Sequence, residues 1–252
     1  MPHRKIPICL AVLLLAAISA SATDFWIAKE WKQWSSEETN LLLAESPWVH
    51  TWTGGHVEAA AQGFIGPNPP APVAGMGFGI GDLLAYTVQI RSSLPVRQAI
   101  VRQLQFNNKY EKMTDNQRTD FDAQAAKILN RNYDDTILVH VDYSRIGPGP
   151  ILSAQHTALV ASRDKLDVSL LNEDSSEIKA TRVDVSPSTY SFDAIFPRIV
   201  GGAPTIKDGQ RQFAIRFQSP LFLVFGGVNM PAQSVKVQFN LSKMLVNGKP
   251  NY

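Results

Sequence analysis

After Asp135 apolar and polar residues alternate in five separate segments, and a period of two admits few folds. In "TILVHVDY" Ile137, Val139, Val141 and Tyr143 fall on one side, and Leu138, His140 and Asp142 on the other. Similar alternation recurs at 166 to 171, 190 to 196, 211 to 217 and 234 to 241. In the last of these Val235, Val237, Phe239 and Leu241 oppose Ser234, Lys236, Gln238 and Asn240. Successive side chains of a strand point to opposite faces, so each segment packs one face and wets the other. That is the habit of antiparallel sheets. No ten-residue helical pattern alternates with these strands, which argues against a parallel doubly wound sheet.

An earlier strand, "LLAYTVQIR", sets Leu84, Tyr86, Val88 and Ile90 against Ala85, Thr87, Gln89 and Arg91. "SSLPVRQAIVRQLQF" then reads as a helix with Pro95 in its first turn and Val96, Ile100 and Leu104 along one stripe. Thr114 and Gln117 begin another, carrying Phe121, Ala125, Ile128 and Leu129. The expected class is α+β: a mainly antiparallel, sandwich-like β body, a helical pair inserted at about 95–131, and short helices near the N-terminus.

The first residues set the compartment. His3, Arg4 and Lys5 precede the apolar run "IPICLAVLLLAAI", and Ala20-Ser21-Ala22 has the small-x-small pattern of a cleaved leader. The run is well short of the roughly 20 residues that span a bilayer. Cys9 lacks the preceding small residue of a lipidation site. The expected divisions are a signal peptide (1–22), a Trp-rich segment with the first strand (23–62), a Gly/Pro-rich loop (63–81) and a β-rich domain (82–252). Cleavage after residue 22 removes Arg4, Lys5 and the only cysteine, leaving 230 residues with 22 basic and 22 acidic side chains. A near-neutral chain lacks the basic face of a nucleic-acid binder. Without thiols it must be held by core burial rather than disulfides. The expected location is secreted or periplasmic, with no membrane span after cleavage.

All five tryptophans, Trp26, Trp31, Trp34, Trp48 and Trp52, lie within residues 24–52. Asp24 is placed to cap a short helix in which Ile27, Trp31 and Trp34 form one stripe. Ser35 and Glu38 make a capping box for a second helix, which stops before Pro47. From Trp48 the period becomes two, so Trp48, His50 and Trp52 share a strand face. As a functional feature the segment is a docking surface or an aromatic platform for sugar rings, with Trp26, Trp52 and His50 as its binding candidates. As a structural feature it is a lid over the open end of the β body, each indole burying on the order of 200 Å². Helical spacing favours the lid for Trp31, Trp34 and Trp48.

The chemistry-bearing residues are sparse. His50, His56, His140 and His156 include no pair at metal-ligating spacing, and no cofactor motif occurs. His140 and Asp142 share a strand face, an arrangement that could orient an imidazole as general base for Ser144 or Ser153. A solvated strand face accounts for the same two residues. G-x-S-x-G is absent. "GMGFGIG" precedes a strand rather than a helix, so it reads as a loop and not a phosphate cradle. "NEDSSE" groups Glu173, Asp174 and Glu177, enough oxygens for calcium, but turn chemistry explains it as a hairpin. Asn240-Leu241-Ser242 matches a glycosylation acceptor inside an expected strand and is set aside.

The chain resembles a family of uncharacterised exported bacterial proteins. The likeness lies in Phe25-Trp26, Trp31, Trp34-Ser35, Glu38, Leu41-Leu42 and Ser46-Pro47-Trp48, then Leu94-Pro95-Val96-Arg97-Gln98-Ala99, Phe196-Pro197-Arg198, and the closing Lys243-Met244, Asn247-Gly248-Lys249 and Tyr252. The resemblance implies export and this architecture, and no activity. The functional expectation is a non-catalytic binding or structural module of the bacterial envelope, meeting a protein or envelope partner through the aromatic segment or the 63–81 loop. The alternatives are an exported hydrolase using His140 and Asp142, and a carbohydrate binder using exposed tryptophans.

Overall fold

The computed structural model describes residues 25–55, 83–146, 152–219, 224–225, 228–229 and 234–252. The leader, Asp24, His56 and the GMGFGIG loop lie outside the described residues. The chain is α+β with a β-rich body. Strands β1 (Val49–Gly55), β2 (Leu83–Ile90), β3 (Thr136–Ile146), β6 (Arg182–Val185) and β7 (Ser191–Pro197) form one sheet in the order β1-β2-β3-β7-β6. A second sheet has the order β13-β10-β4-β5, from β4 (Val168–Asn172), β5 (Glu177–Lys179), β10 (Gln212–Gln218) and β13 (Ser234–Asn240), while β8 (Ile199–Val200) pairs with β9 (Ala203–Pro204) and β11 (Val224–Phe225) with β12 (Val228–Asn229) as separate ribbons. Every pairing within the two sheets is antiparallel.

The alternation decides which face is buried. Tyr86, Val88, Ile90, Ile137, Val139, Val141, Phe192 and Phe196 from the first sheet share one core with Leu170, Phe213, Ile215, Phe217, Val235 and Phe239 from the second. The sheets meet through rings: Phe217 lies 5.2 Å from Tyr86 and 5.4 Å from Phe192, both edge-to-face. The Tyr86 hydroxyl also hydrogen-bonds Ser219 across the layers, so a buried phenol keeps a polar partner.

The helical pair is α3 (Leu94–Asn107) and α4 (Asp115–Leu129), close to the expected 95–131. Thr114 and Gln117 close a reciprocal capping box on α4. The α3 stripe is shifted from the expected one: Val96, Ala99, Val101 and Gln105 are buried, while Leu104 is exposed. A further helix, α5 (Leu152–Ala161), falls between β3 and β4, where no helix is expected. Its sequence "LSAQHTALVA" is apolar on most sides, so periodicity leaves no mark there.

At the N-terminus the continuous stripe is replaced by two pieces. Helix α1 covers only Phe25–Ala28, and a separate 3₁₀ turn covers Trp31–Gln33. The break at Lys29 and Glu30 turns Ile27 outward, 57% exposed, and makes Phe25 the buried residue. Helix α2 (Ser36–Ala44) begins at the expected box: the Glu38 amide donates to Ser35 Oγ at 3.1 Å, and the Ser35 amide to Glu38 Oε2 at 2.9 Å. Ser35→Ala is expected to cost about 1 kcal/mol by orphaning the Glu38 amide, read as a lower urea midpoint with an unchanged slope.

Candidate functional site

Three surfaces come from the expected site residues and their neighbours. The first is the aromatic segment. Trp34 and Trp48 are core, 1% and 0% exposed. Trp26 is half-buried with its ring edge-on to Trp48 at 5.6 Å and to Phe25 at 5.2 Å. Trp52 is half-buried, tilted against Tyr86 at 5.9 Å and folded over Gly54 so closely that a Cβ there would lie 1.8 Å from the indole. His50 sits on the same strand face, half-buried, 5.1 Å from Phe239. Burial, then the nearby Lys243, lowers its pKa, so it is a neutral ring in a mostly apolar setting.

The second surface is the outer face of the five-stranded sheet. Register places Gln89, His140, Asp193 and Asp184 opposite one another across β2, β3, β7 and β6. His140 is 7% exposed and held at both nitrogens, with Nδ1 2.6 Å from Asp193 Oδ1 and Nε2 3.0 Å from Asp142 Oδ1. Burial opposes its protonation, but the bonds to Asp142 and Asp193 together outweigh it and raise the pKa above the ordinary imidazole value. For Asp142 burial likewise opposes charge, and the His140 bond with the charges of His140 and Arg91 prevails, lowering its pKa. Arg91 donates to Gln89 Oε1 at 3.1 Å and completes the row. The expectation of a solvated face therefore holds for half-exposed Asp142 but not for His140, which is buried because both of its ring nitrogens have partners.

This row is poorly arranged for general base catalysis. A base needs one nitrogen oriented and the other aimed at a nucleophile, and both are engaged by carboxylates here. Ser144 is four residues along the same strand, which sets its Cα about 13 Å from that of His140. Ser153 is the second residue of α5, and its side chain lies outside the described residues. His156 is buried elsewhere, against Tyr143, whose hydroxyl pairs with its Nδ1; burial raises the Tyr143 pKa to about 12.

The "NEDSSE" segment is the expected β4–β5 hairpin turn, with Ser175 in the left-handed region. Each of its carboxylates has a basic partner: Glu173 with Arg211, Asp174 with Lys207 and Glu177 with Arg216. Among the described residues no group of three or more His, Cys, Asp or Glu side chains could hold a metal ion. Asn240 accepts from the Ser242 amide, so its side chain serves the turn after β13.

The third surface escaped the sequence reading. A cleft of about 800 Å³ opens where the helical pair meets the end of the β body, lined by Arg97, Arg131, Tyr133, Asp134, Arg198 and Tyr252 among others. Arg97 Nη1 donates to the carbonyls of Ile128, Leu129 and Arg131, closing the C-terminal end of α4. Arg198 donates from Nε to Tyr133 O at 2.7 Å and from Nη2 to the main-chain oxygen of Tyr252. The guanidinium carbons of Arg97 and Arg131 lie 5.2 and 5.3 Å from the Tyr133 ring centre, and that of Arg198 lies 5.0 Å from the Tyr252 ring. Burial lowers the pKa of Arg97 and Arg198, though a guanidinium stays charged throughout the working range. Nothing short-range in the sequence marks this convergence, because Arg97 and Arg198 are about a hundred positions apart.

No family model matches this chain, and no curated protein matches it. Among solved structures, the crystal structure of a DUF4426 family protein from Pseudomonas aeruginosa PAO1 is 13% identical over 62% of this chain and 86% of that one, with a TM-score of 0.26. A likeness that slight carries no argument about fold or function. No helix among the described residues is long and apolar enough to cross a membrane.

Proposed function

We propose that the chain is an exported, non-catalytic binding or structural module of the bacterial envelope. The observation that carries this reading is His140: both of its ring nitrogens are bonded to carboxylates, and the bond to Asp193 makes it a tie between β3 and β7. Export rests on the leader-like first 22 residues and on the resemblance to exported proteins. The segments that carry that resemblance meet in space, since Arg97, Arg198 and Tyr252 line one cleft and Trp48 Nε1 donates to the Asn251 carbonyl beside it. A binding surface at the helical end of the body suits a partner in the envelope better than the tryptophans do, because Trp26 and Trp52 rest on the core rather than offering open faces.

The test is His140→Ala beside the parent protein, assayed on ester, phosphoester and glycoside substrates. Equal background rates are expected. A turnover that the parent has and the variant lacks, with both folded, would move the chain to the hydrolases.

A further inference from the structure

The cleft between the helical pair and the β body holds three arginines and one acidic side chain, Asp134. None of Arg97, Arg131 and Arg198 forms an ion pair with a carboxylate side chain among the described residues. The partners of Arg97 and Arg131 are backbone carbonyls and the Tyr133 ring, which orient a guanidinium without cancelling its charge, whereas Arg198 is held by the Tyr133 carbonyl and by the main-chain oxygen and ring of Tyr252. Donors remain: all three hydrogen bonds of the Arg97 guanidinium among the described residues come from Nη1, which leaves Nη2, and the exposed Arg131 side chain makes only its ring contact among the same residues. Positive groups held close together in a concave, partly desolvated place attract anions, and the planar fork of arginine matches oxygen pairs of phosphate and carboxylate.

We propose that this cleft is an oxyanion-binding site, with Arg97 and Arg131 supplying donors, beside Arg198, to a phosphate group of its ligand. The proposal rests on the reading of the chain as a binding module and gives that module its ligand chemistry. The volume suits a small molecule or the charged end of a larger one.

Calorimetric titration of the folded chain with inorganic phosphate at low ionic strength is the direct test, with vesicles of phosphatidylglycerol or of phosphatidylcholine as a second arm. Binding to phosphate, or to the anionic vesicles alone, is expected. The first outcome points to a soluble phosphate and the second to a lipid headgroup. Either should weaken as salt rises and fall about tenfold in Arg131→Gln, which removes a charged donor that holds no backbone in place. Arg97→Lys keeps the charge and loses the fork, and should weaken binding while circular dichroism shows the helices intact. No binding in either arm, or equal binding by the parent, Arg131→Gln and folded Arg97→Lys, would overturn the site. A His140-dependent hydrolysis would instead overturn the underlying module reading, whatever the anion result.

Discussion

Trp48→Ala is expected to lower the unfolding free energy by about 3–5 kcal/mol, the range for removing a fully buried large aromatic. Trp48 is completely enclosed, packs edge-on against Trp26, and donates from Nε1 to the Asn251 carbonyl at 2.5 Å. The substitution leaves a cavity and an acceptor without its donor at once. It also loosens the closing segment, because Asn251 Oδ1 accepts from the Leu94 amide at the start of α3 and the next residue, Tyr252, accepts from Arg198. Trp48→Phe retains most of the ring and loses the hydrogen bond, so a smaller loss of about 1–2 kcal/mol is expected. Equilibrium urea unfolding measures both. If Trp48→Ala stayed within 1 kcal/mol of the parent, the indoles would not be the lid that holds this end together.

The second large effect is on pH dependence. His140 has a raised folded pKa, so its contribution is complete below the ordinary imidazole value of about 6.5 and is lost as pH climbs through the folded value. Asp142 has a lowered folded pKa, so its contribution is present above the ordinary carboxylate value of about 4 and disappears as pH drops through the folded value. Arg91, the nearby cation on β2, works against the imidazolium, and Asp142 and Asp193 work for it. The tie is therefore strongest in mildly acidic solution. His140→Gln removes the charge at similar size and is expected to cost about 1–3 kcal/mol near pH 5.5. The lower part of that range is favoured because both carboxylates are well exposed to solvent. The gap between parent and variant should shrink as pH is raised from 6 to 9. A gap that stayed constant across that window would mean His140 is held as a neutral ring.

What could be read from the chain was local. The strands at 190 to 196, 211 to 217 and 234 to 241 lie within a residue or two of β7, β10 and β13, because alternation is a property of neighbouring residues. The capping box at Ser35 and Glu38 was equally legible, since its two hydrogen bonds span three residues. Ile27, Trp31 and Trp34 have helical spacing, yet Ile27 is exposed and a 3₁₀ turn begins at Trp31. Packing of Phe25 between Trp26 and Trp34 prevailed over periodicity there.

By itself the sequence settled which residues of β2, β3 and β13 enter the shared core; the wet face it implied runs along β13 but not along β2 or β3, where Ala85, Gln89, Leu138 and His140 are buried as well. Only tertiary structure could decide neighbours. His140 with Asp142 was visible on one strand, but Asp193 is 53 residues away and arrives because β7 lies beside β3. Trp48 and Asn251 are separated by 203 positions, and Arg97, Arg198 and Tyr252 reach their cleft from three distant segments. A period of two tells a side chain which face it takes and carries no information about which strand lies alongside, since that choice is made by the closing of long loops and the packing of whole sheets.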